Sequence, residues 1–181
     1  MNLANKLTMI RIFLVPVFLV FIAVRDIPYG SIVATAVFII ASITDQLDGH
    51  IARSRNQITN FGKFMDPLAD KLLVTAALIS LVELNMIPGW AVVIIIVREF
   101  AVTGLRPLAA SDGVVIAASW WGKLMSVSQM AAIITLLVGV NIGSSQADSS
   151  FVSNNAFING FFTYVPITIL LLAVIITIIS G

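Results

Sequence analysis

The chain has 181 residues, of which 59% are hydrophobic and only 10% charged, and its mean hydropathy is +1.06. So apolar a composition excludes an ordinary water-soluble domain and indicates that lipid is the main solvent. The net charge of +1, without a run of like charges, argues against a nucleic-acid partner. The sequence has no cysteine and one histidine, His50. Disulfides and multi-histidine zinc sites are therefore excluded, and any metal must be held mainly by carboxylates.

Six apolar stretches follow one another along the chain, each close to the roughly 20 residues that a membrane-spanning helix needs. They cover residues 7–24, 28–44, 67–84, 87–110, 114–140 and 160–180. Pro67 and Pro88 stand near predicted helix starts, where a missing N–H costs little, and Pro107 is expected to end the fourth span. We therefore predict an all-α polytopic membrane protein with six transmembrane helices, forming a single domain over residues 1–181.

The basic residues predict the orientation of these spans. If the N-terminus is cytoplasmic, the connections after the second and fourth spans are cytoplasmic as well. Arg25 then lies outside, and Arg98 lies within the fourth span. The other basic residues fall on or near the inner side: Lys6, Arg11, Arg53, Arg55, Lys63, Lys71, Arg106 and Lys123. This positive-inside bias predicts a multi-pass protein of the cell membrane with a cytoplasmic N-terminus.

Four aspartates stand at the inner end of the second span and the start of the third, where charge is costly. Asp45 and Asp48 are three residues apart, and Asp66 and Asp70 are four apart. Each pair shares one helix face, provided that the second span stays helical through Arg53. Four carboxylates held together repel one another, and divalent cations would neutralise them. Oxygen ligands favour Mg²⁺ or Mn²⁺, and the cluster offers enough of them for two ions.

Small residues accompany the aspartates and would let a bulky ligand, such as a nucleotide diphosphate, approach the helix backbone. Together they give the pattern D-x2-D-G-x2-A-R-x8-G-x3-D-x3-D over residues 45–70. This pattern resembles the signature of the CDP-alcohol phosphatidyltransferase family. The resemblance implies an enzyme that transfers a phosphatidyl group from CDP-diacylglycerol to an alcohol, with its active site at the cytoplasmic side of the membrane. It implies metal ligation by Asp45, Asp48, Asp66 and Asp70, with Asp70 also the general base, and a CDP pocket lined by Asp48, Gly49, Ala52, Arg53 and Gly62.

Segments that overlap the signature or lie beyond it resemble the bacterial phosphatidylglycerophosphate synthases of that family, whose acceptor is sn-glycerol 3-phosphate. These segments include Phe64–Lys71, Arg98–Glu99 and Thr103–Arg106. An anionic acceptor needs fixed cations, which would also explain an arginine inside a span. The candidate residues for the acceptor phosphate are Thr8, Arg11, Lys71, Arg98, Arg106 and Lys123. The sequence departs from the subfamily at Met125 and Ser126, where a second lysine and a threonine are expected, and this departure bears on the acceptor rather than on the family.

Other interpretations stay open at this point. A different acceptor would make the chain a cardiolipin, phosphatidylinositol phosphate or phosphatidylserine synthase. Buried carboxylates and an intramembrane arginine also suit a cation or proton transporter. Ion pairs with neighbours inside the bundle would explain Arg98 and Glu99, and snorkelling to the inner headgroups would explain Thr8 and Arg11. Gly104 and Gly122 would permit either close helix packing or contact with a ligand, and small-residue helix faces favour a homodimer.

Overall fold

The computed structural model describes residues 3–24, 26–54, 60–111, 120–144 and 156–180, although some side chains within these helices lie outside the described set. Every regular element in these ranges is an α-helix. In chain order the helices are α1 (Leu3–Ala23), α2 (Gly30–Ser54), α3 (Asn60–Glu83), α4 (Gly89–Ser111), α5 (Trp120–Ser144) and α6 (Ala156–Ser180). The prediction of an all-α protein with six helices is confirmed for the described part of the chain.

The helices around the aspartates are longer than the apolar stretches predicted. The second helix continues to Ser54, and the third already begins at Asn60. Pro67 therefore lies inside α3 instead of in its first turn, and Pro107 lies inside α4 instead of ending it. Both proline predictions were wrong. A proline removes one backbone hydrogen bond but does not end a helix whose flanking residues favour it, and polar residues lower hydropathy without preventing helix formation.

The described helices carry the apolar character expected of a membrane protein. One 18-residue segment, Leu124–Asn141 on α5, is long and apolar enough to cross a bilayer, with a mean hydropathy of 1.7. Shorter apolar segments cover Thr8–Ala23, Gly30–Thr44 and Tyr164–Ile178. Large apolar side chains such as Val97 are well exposed, which is costly in water and suits contact with lipid. The number of spans remains a prediction.

The chain divides into two compact units, Met1–Ser80 and Leu81–Gly181. In the first unit α1 packs against α2, and the short connection between them makes the two helices antiparallel. The buried rings of Phe18 and Phe38 join them, with centroids 6.0 Å apart and planes tilted by 53°. At the closed end of the hairpin, a Cβ on Gly30 would stand 2.7 Å from the carbonyl oxygen of Phe21. Glycine therefore permits the close approach that begins α2.

In the second unit α6 packs against both α4 and α5. Its interior is apolar, with Ile133, Leu137 and Leu170 almost completely buried. The turn between α3 and α4 is fixed by backbone hydrogen bonds of the Schellman type: the Met86 N–H donates to the Leu81 carbonyl, and the Asn85 N–H to the Val82 carbonyl, both at 2.9 Å. Asn85 has the left-handed backbone (φ 57°) that this motif requires.

Candidate active site

The buried row of α2 leads directly into the predicted signature. Ala34, Phe38 and Ala41 are fully buried and follow one another at steps of four and three, which mark one face of an α-helix. Because α2 is uninterrupted as far as Ser54, the same steps continue past Ala41 into the signature. The positions on this continuation are Asp45, Asp48, Gly49 and Ala52, with Arg53 next to them. Their side chains lie outside the described set, so the structure places these residues by helical register.

On α3, too, a row of buried residues leads into the signature. Ala69, Leu73 and Ala77 form a buried row. Its continuation towards the start of the helix carries Gly62 and Asp66, with Asp70 beside it. The side chains of these three residues also lie outside the described set. The helical register expected for both aspartate pairs is therefore present, and the separation between the carboxylates stays a prediction.

Lys71 lies on a different face of α3 from the aspartates. With about 100° of rotation per residue, position 71 is roughly 140° around the helix from position 66. The Lys71 side chain is half-buried and engages another group of the protein. Its assignment to the acceptor phosphate has no support from this placement and stays a prediction.

Thr8 and Arg11 lie on the inner face of α1, each with only 3% of the side chain exposed. Arg11 is two helical turns before Phe18 and shares its row. A cation that snorkels to lipid headgroups keeps its charged end in the aqueous interface, which does not fit so deep a burial. The snorkelling interpretation of these two residues was therefore wrong.

The antiparallel packing of α1 and α2 places these two buried polar residues near the level of the signature. Phe18 and Phe38 are in contact. Because the two helices are antiparallel, a step of seven residues back along α1 and a step of seven residues forward along α2 both cover about 10.5 Å in the same direction. This brings Arg11 to the level of Asp45, to within about one helical turn. By the same reasoning, ten residues back from Phe18 and ten residues forward from Phe38 bring Thr8 to the level of Asp48.

In the second unit, α4 carries Arg98, Glu99 and Arg106. The Arg98 Nη1 donates to the Glu99 Oε1 at 3.2 Å, and the two side chains are 15% and 16% exposed. The two residues therefore pair with each other, and the pairing with neighbours in the bundle that the sequence suggested stays a prediction. Arg106 lies on α4 at a position whose side chain is outside the described set. No heavy atom of the described structure lies within 4 Å of a Cβ built on Gly104, so the described residues show no close packing at this glycine.

On α5, the departure from the subfamily pattern has a structural counterpart. Met125 is fully buried, and its Sδ accepts a hydrogen bond from the Thr177 Oγ1 of α6 at 3.3 Å. A lysine ammonium at this position would be desolvated within the packing of α5 against α6. Ser126 is exposed, and its hydroxyl donates to the Gly122 carbonyl at 3.1 Å. The side chain of the neighbouring Lys123 lies outside the described set.

The sequence analysis did not single out Gln129, one turn beyond Met125 on the same buried row of α5. This side chain is 3% exposed, and among the described residues its Nε2 has no hydrogen-bond partner. Nothing in the chain distinguishes it from other polar residues of an apolar helix, so no sequence signal could have identified it. A buried amide donor of this kind is costly when it is left unsatisfied.

Comparison with known proteins assigns the chain to a class. The family model for CDP-alcohol phosphatidyltransferases matches residues 1–179. The chain belongs to the CDP-alcohol phosphatidyltransferase family, as its signature on α2 and α3 predicted.

Individual relatives point to one branch of this family. The chain is 47% identical, over 76% of its length and 77% of the relative's, to the CDP-diacylglycerol–glycerol-3-phosphate 3-phosphatidyltransferase of Bacillus subtilis. It is 39% identical, over 75% of each chain, to the protein of the same name from Haemophilus influenzae. A probable phosphatidylglycerophosphate synthase of Mycobacterium tuberculosis is 46% identical over 73% of this chain and 64% of its own length.

Proposed function

We propose that this protein transfers the phosphatidyl group of CDP-diacylglycerol to sn-glycerol 3-phosphate, giving phosphatidylglycerophosphate and CMP. The observation that carries the proposal is the complete family signature on two uninterrupted helices, in a chain matched by the family model over residues 1–179. The relatives named for this reaction support glycerol 3-phosphate as the acceptor. The enzyme is a transferase of phospholipid biosynthesis.

Two divalent cations, Mg²⁺ or Mn²⁺, are proposed to be held by the aspartates at positions 45, 48, 66 and 70. The donor chemistry fits these ions, because carboxylate oxygens are their preferred protein ligands. The helical register fits as well. On each helix the two aspartates lie on, or directly beside, the continuation of a row of residues that is buried further along that helix. When bound, the ions would neutralise the diphosphate and the departing CMP.

The donor's CDP group is proposed to lie along Asp48, Gly49, Ala52, Arg53 and Gly62. The small residues leave room for the nucleotide beside the helix backbone, and Arg53 supplies a cation for the diphosphate. Arg11 is close in level to Asp45, which supports a place for Arg11 and Thr8 beside the donor diphosphate as well as beside the acceptor. A guanidinium at that level would orient the diphosphate or an adjacent carboxylate.

In the transfer step, the acceptor hydroxyl oxygen forms a bond to the phosphorus that carries the diacylglycerol. The bond from that phosphorus to the CMP oxygen breaks, and Asp70 takes the hydroxyl proton. Asp70 acts by position, since its carboxylate need only be within hydrogen-bond reach of the hydroxyl as the proton is lost. Arg98, Arg106 and Lys123 are proposed to hold the acceptor phosphate.

The test is CMP release by the purified full-length protein with CDP-diacylglycerol and each acceptor in turn. Glycerol 3-phosphate should support release, whereas phosphatidylglycerol, inositol phosphate and serine should not. Chelation should stop the release, and added Mg²⁺ or Mn²⁺ should restore it. A protein that releases no CMP but moves cations across vesicle membranes would instead be the transporter considered above.

The six spans, the cytoplasmic active site and the homodimer are further parts of this proposal. The chain has no cysteine, so a single introduced cysteine reports its position cleanly. Tyr29, 77% exposed between α1 and α2, and Trp120, 83% exposed at the start of α5, suit this labelling. A membrane-impermeant maleimide should label Tyr29→Cys in intact cells and Trp120→Cys only after permeabilisation. The reverse pattern would contradict the proposed orientation.

A further inference from the structure

The ion pair of α4 joins two residues that are adjacent in the sequence. Adjacent side chains leave an α-helix about 100° apart and do not normally face each other. For the Arg98 Nη1 to lie 3.2 Å from the Glu99 Oε1, the two side chains must converge across the surface of the helix. Both side chains are largely buried, so the pair exists where solvent screens charges weakly.

The angular positions of Arg98 and Glu99 around α4 determine where their ion pair lies. Relative to Ile95, which is buried, Arg98 lies about 60° to one side of the inner face and Glu99 about 40° to the other. On the row of Arg98, Ala91 is fully buried seven residues earlier, and Leu105 is 57% exposed seven residues later. Seven residues after Glu99 on its own row is Arg106. Because the two side chains meet between their rows, the Arg98 guanidinium lies over the inner face of α4, towards the row of Arg106.

We propose that Glu99 is a positioning residue for the acceptor phosphate: it holds the Arg98 guanidinium over the inner face of α4, on the row that carries Arg106. This inference rests on the proposed function, in which both arginines hold the phosphate. An arginine side chain has many rotamers, and fixing it before the acceptor arrives lowers the entropic cost of binding. The carboxylate also stabilises the charge of a guanidinium that is largely buried.

The experiment measures kcat and the KM of each substrate by CMP release from the full-length protein. Glu99→Ala should raise the KM for glycerol 3-phosphate about tenfold, the range expected for a lost charge-assisted hydrogen bond. Its kcat and its KM for CDP-diacylglycerol should stay within about twofold of wild type, because the donor groups lie elsewhere. Glu99→Asp, which keeps the carboxylate, should recover part of the loss. Glu83→Ala, which removes an exposed glutamate at the end of α3, is the matched control and should behave as wild type.

Each other result counts against the assignment. An unchanged or lower acceptor KM in Glu99→Ala would overturn it, and so would an equal loss in kcat and both KM values without rescue by Glu99→Asp. If the alanine variant does not fold, Glu99→Gln keeps the shape of the side chain without its charge and should raise the acceptor KM about threefold. A wild-type protein that releases no CMP with glycerol 3-phosphate would overturn the proposed function and this inference together. A working wild type with an unaffected Glu99→Ala would overturn the inference alone.

Discussion

Replacing Gly30 with alanine tests the close approach of α1 and α2 at the closed end of their hairpin. The added Cβ would stand 2.7 Å from the carbonyl oxygen of Phe21, where ordinary van der Waals contact begins at 3.4 Å. The obstacle is backbone, which cannot rotate away as a flexible side chain can. The two helices must therefore separate by a few tenths of an ångström or more at this point.

The expected cost follows from two opposing effects. Overpacking of this kind costs about 1–3 kcal/mol. Alanine is more favourable than glycine in a helix by at most about 1 kcal/mol, and by less at the first residue of a helix, which is the position of Gly30. With about half of that propensity gained at the first helical residue, the net loss in the free energy of unfolding is about 0.5–2.5 kcal/mol. For a chain of this size, each kcal/mol lowers the Tm by roughly 2–4 °C.

Gly104→Ala is the matched control, because the described structure leaves open space around its Cβ position. This glycine lies inside α4, so alanine should gain up to about 1 kcal/mol without a clash. Thermal unfolding of the purified variants, in the same detergent and without substrate, should show a lower Tm for Gly30→Ala and an equal or higher Tm for Gly104→Ala. A Gly30→Ala protein as stable as wild type would refute the reasoning from the hairpin geometry.

Three further substitutions probe the site and its support. Asp70→Asn should lower the rate of CMP release by about 10²–10⁴-fold, because the proposed base is lost, while Asn at the exposed Asp26 should leave the rate unchanged. Phe38→Ala should lower the free energy of unfolding by about 3–5 kcal/mol in a denaturation assay, whereas Phe13→Ala, at a 73% exposed position, should change it little. Arg11→Lys should raise the KM for CDP-diacylglycerol more than the KM for the acceptor, because an ammonium group cannot reproduce the two parallel hydrogen bonds of a guanidinium. An unchanged KM for CDP-diacylglycerol would contradict the proposed position of Arg11 beside the donor.

The sequence predicts the helical content well, because apolar stretches of spanning length and Asp spacings of three and four are both helical signals. It predicts the helix ends poorly where hydropathy and helix propensity disagree. Residues 45–54 are too polar to count as a span, yet α2 continues through them. Pro67 and Pro107 mislead for a related reason, since the loss of one hydrogen bond is small beside the packing of a whole helix.

Contacts between side chains were beyond the reach of sequence patterns. Burial of Met125 against Thr177 depends on how α5 meets α6, which no spacing within α5 encodes. Arg98 and Glu99 were expected to pair with neighbours in the bundle, but their pairing with each other follows from three-dimensional placement. Both contacts are tertiary effects that no spacing in the sequence encodes.

The packing of α1 on α2 links the stability of the hairpin to the proposed donor site. The contact between Phe18 and Phe38 fixes the level of the two helices, and Arg11 and Asp45 lie two turns beyond it on their respective rows. Helices interlock through ridges and grooves, so a shift along the axis repacks the whole interface instead of sliding it smoothly. A substitution that opens the hairpin at Gly30 therefore has two separable effects: a lower Tm, and a weaker affinity for CDP-diacylglycerol if the opening reaches the level of Arg11. A change confined to the donor KM would locate the disturbance near Arg11 instead of near the proposed acceptor residues.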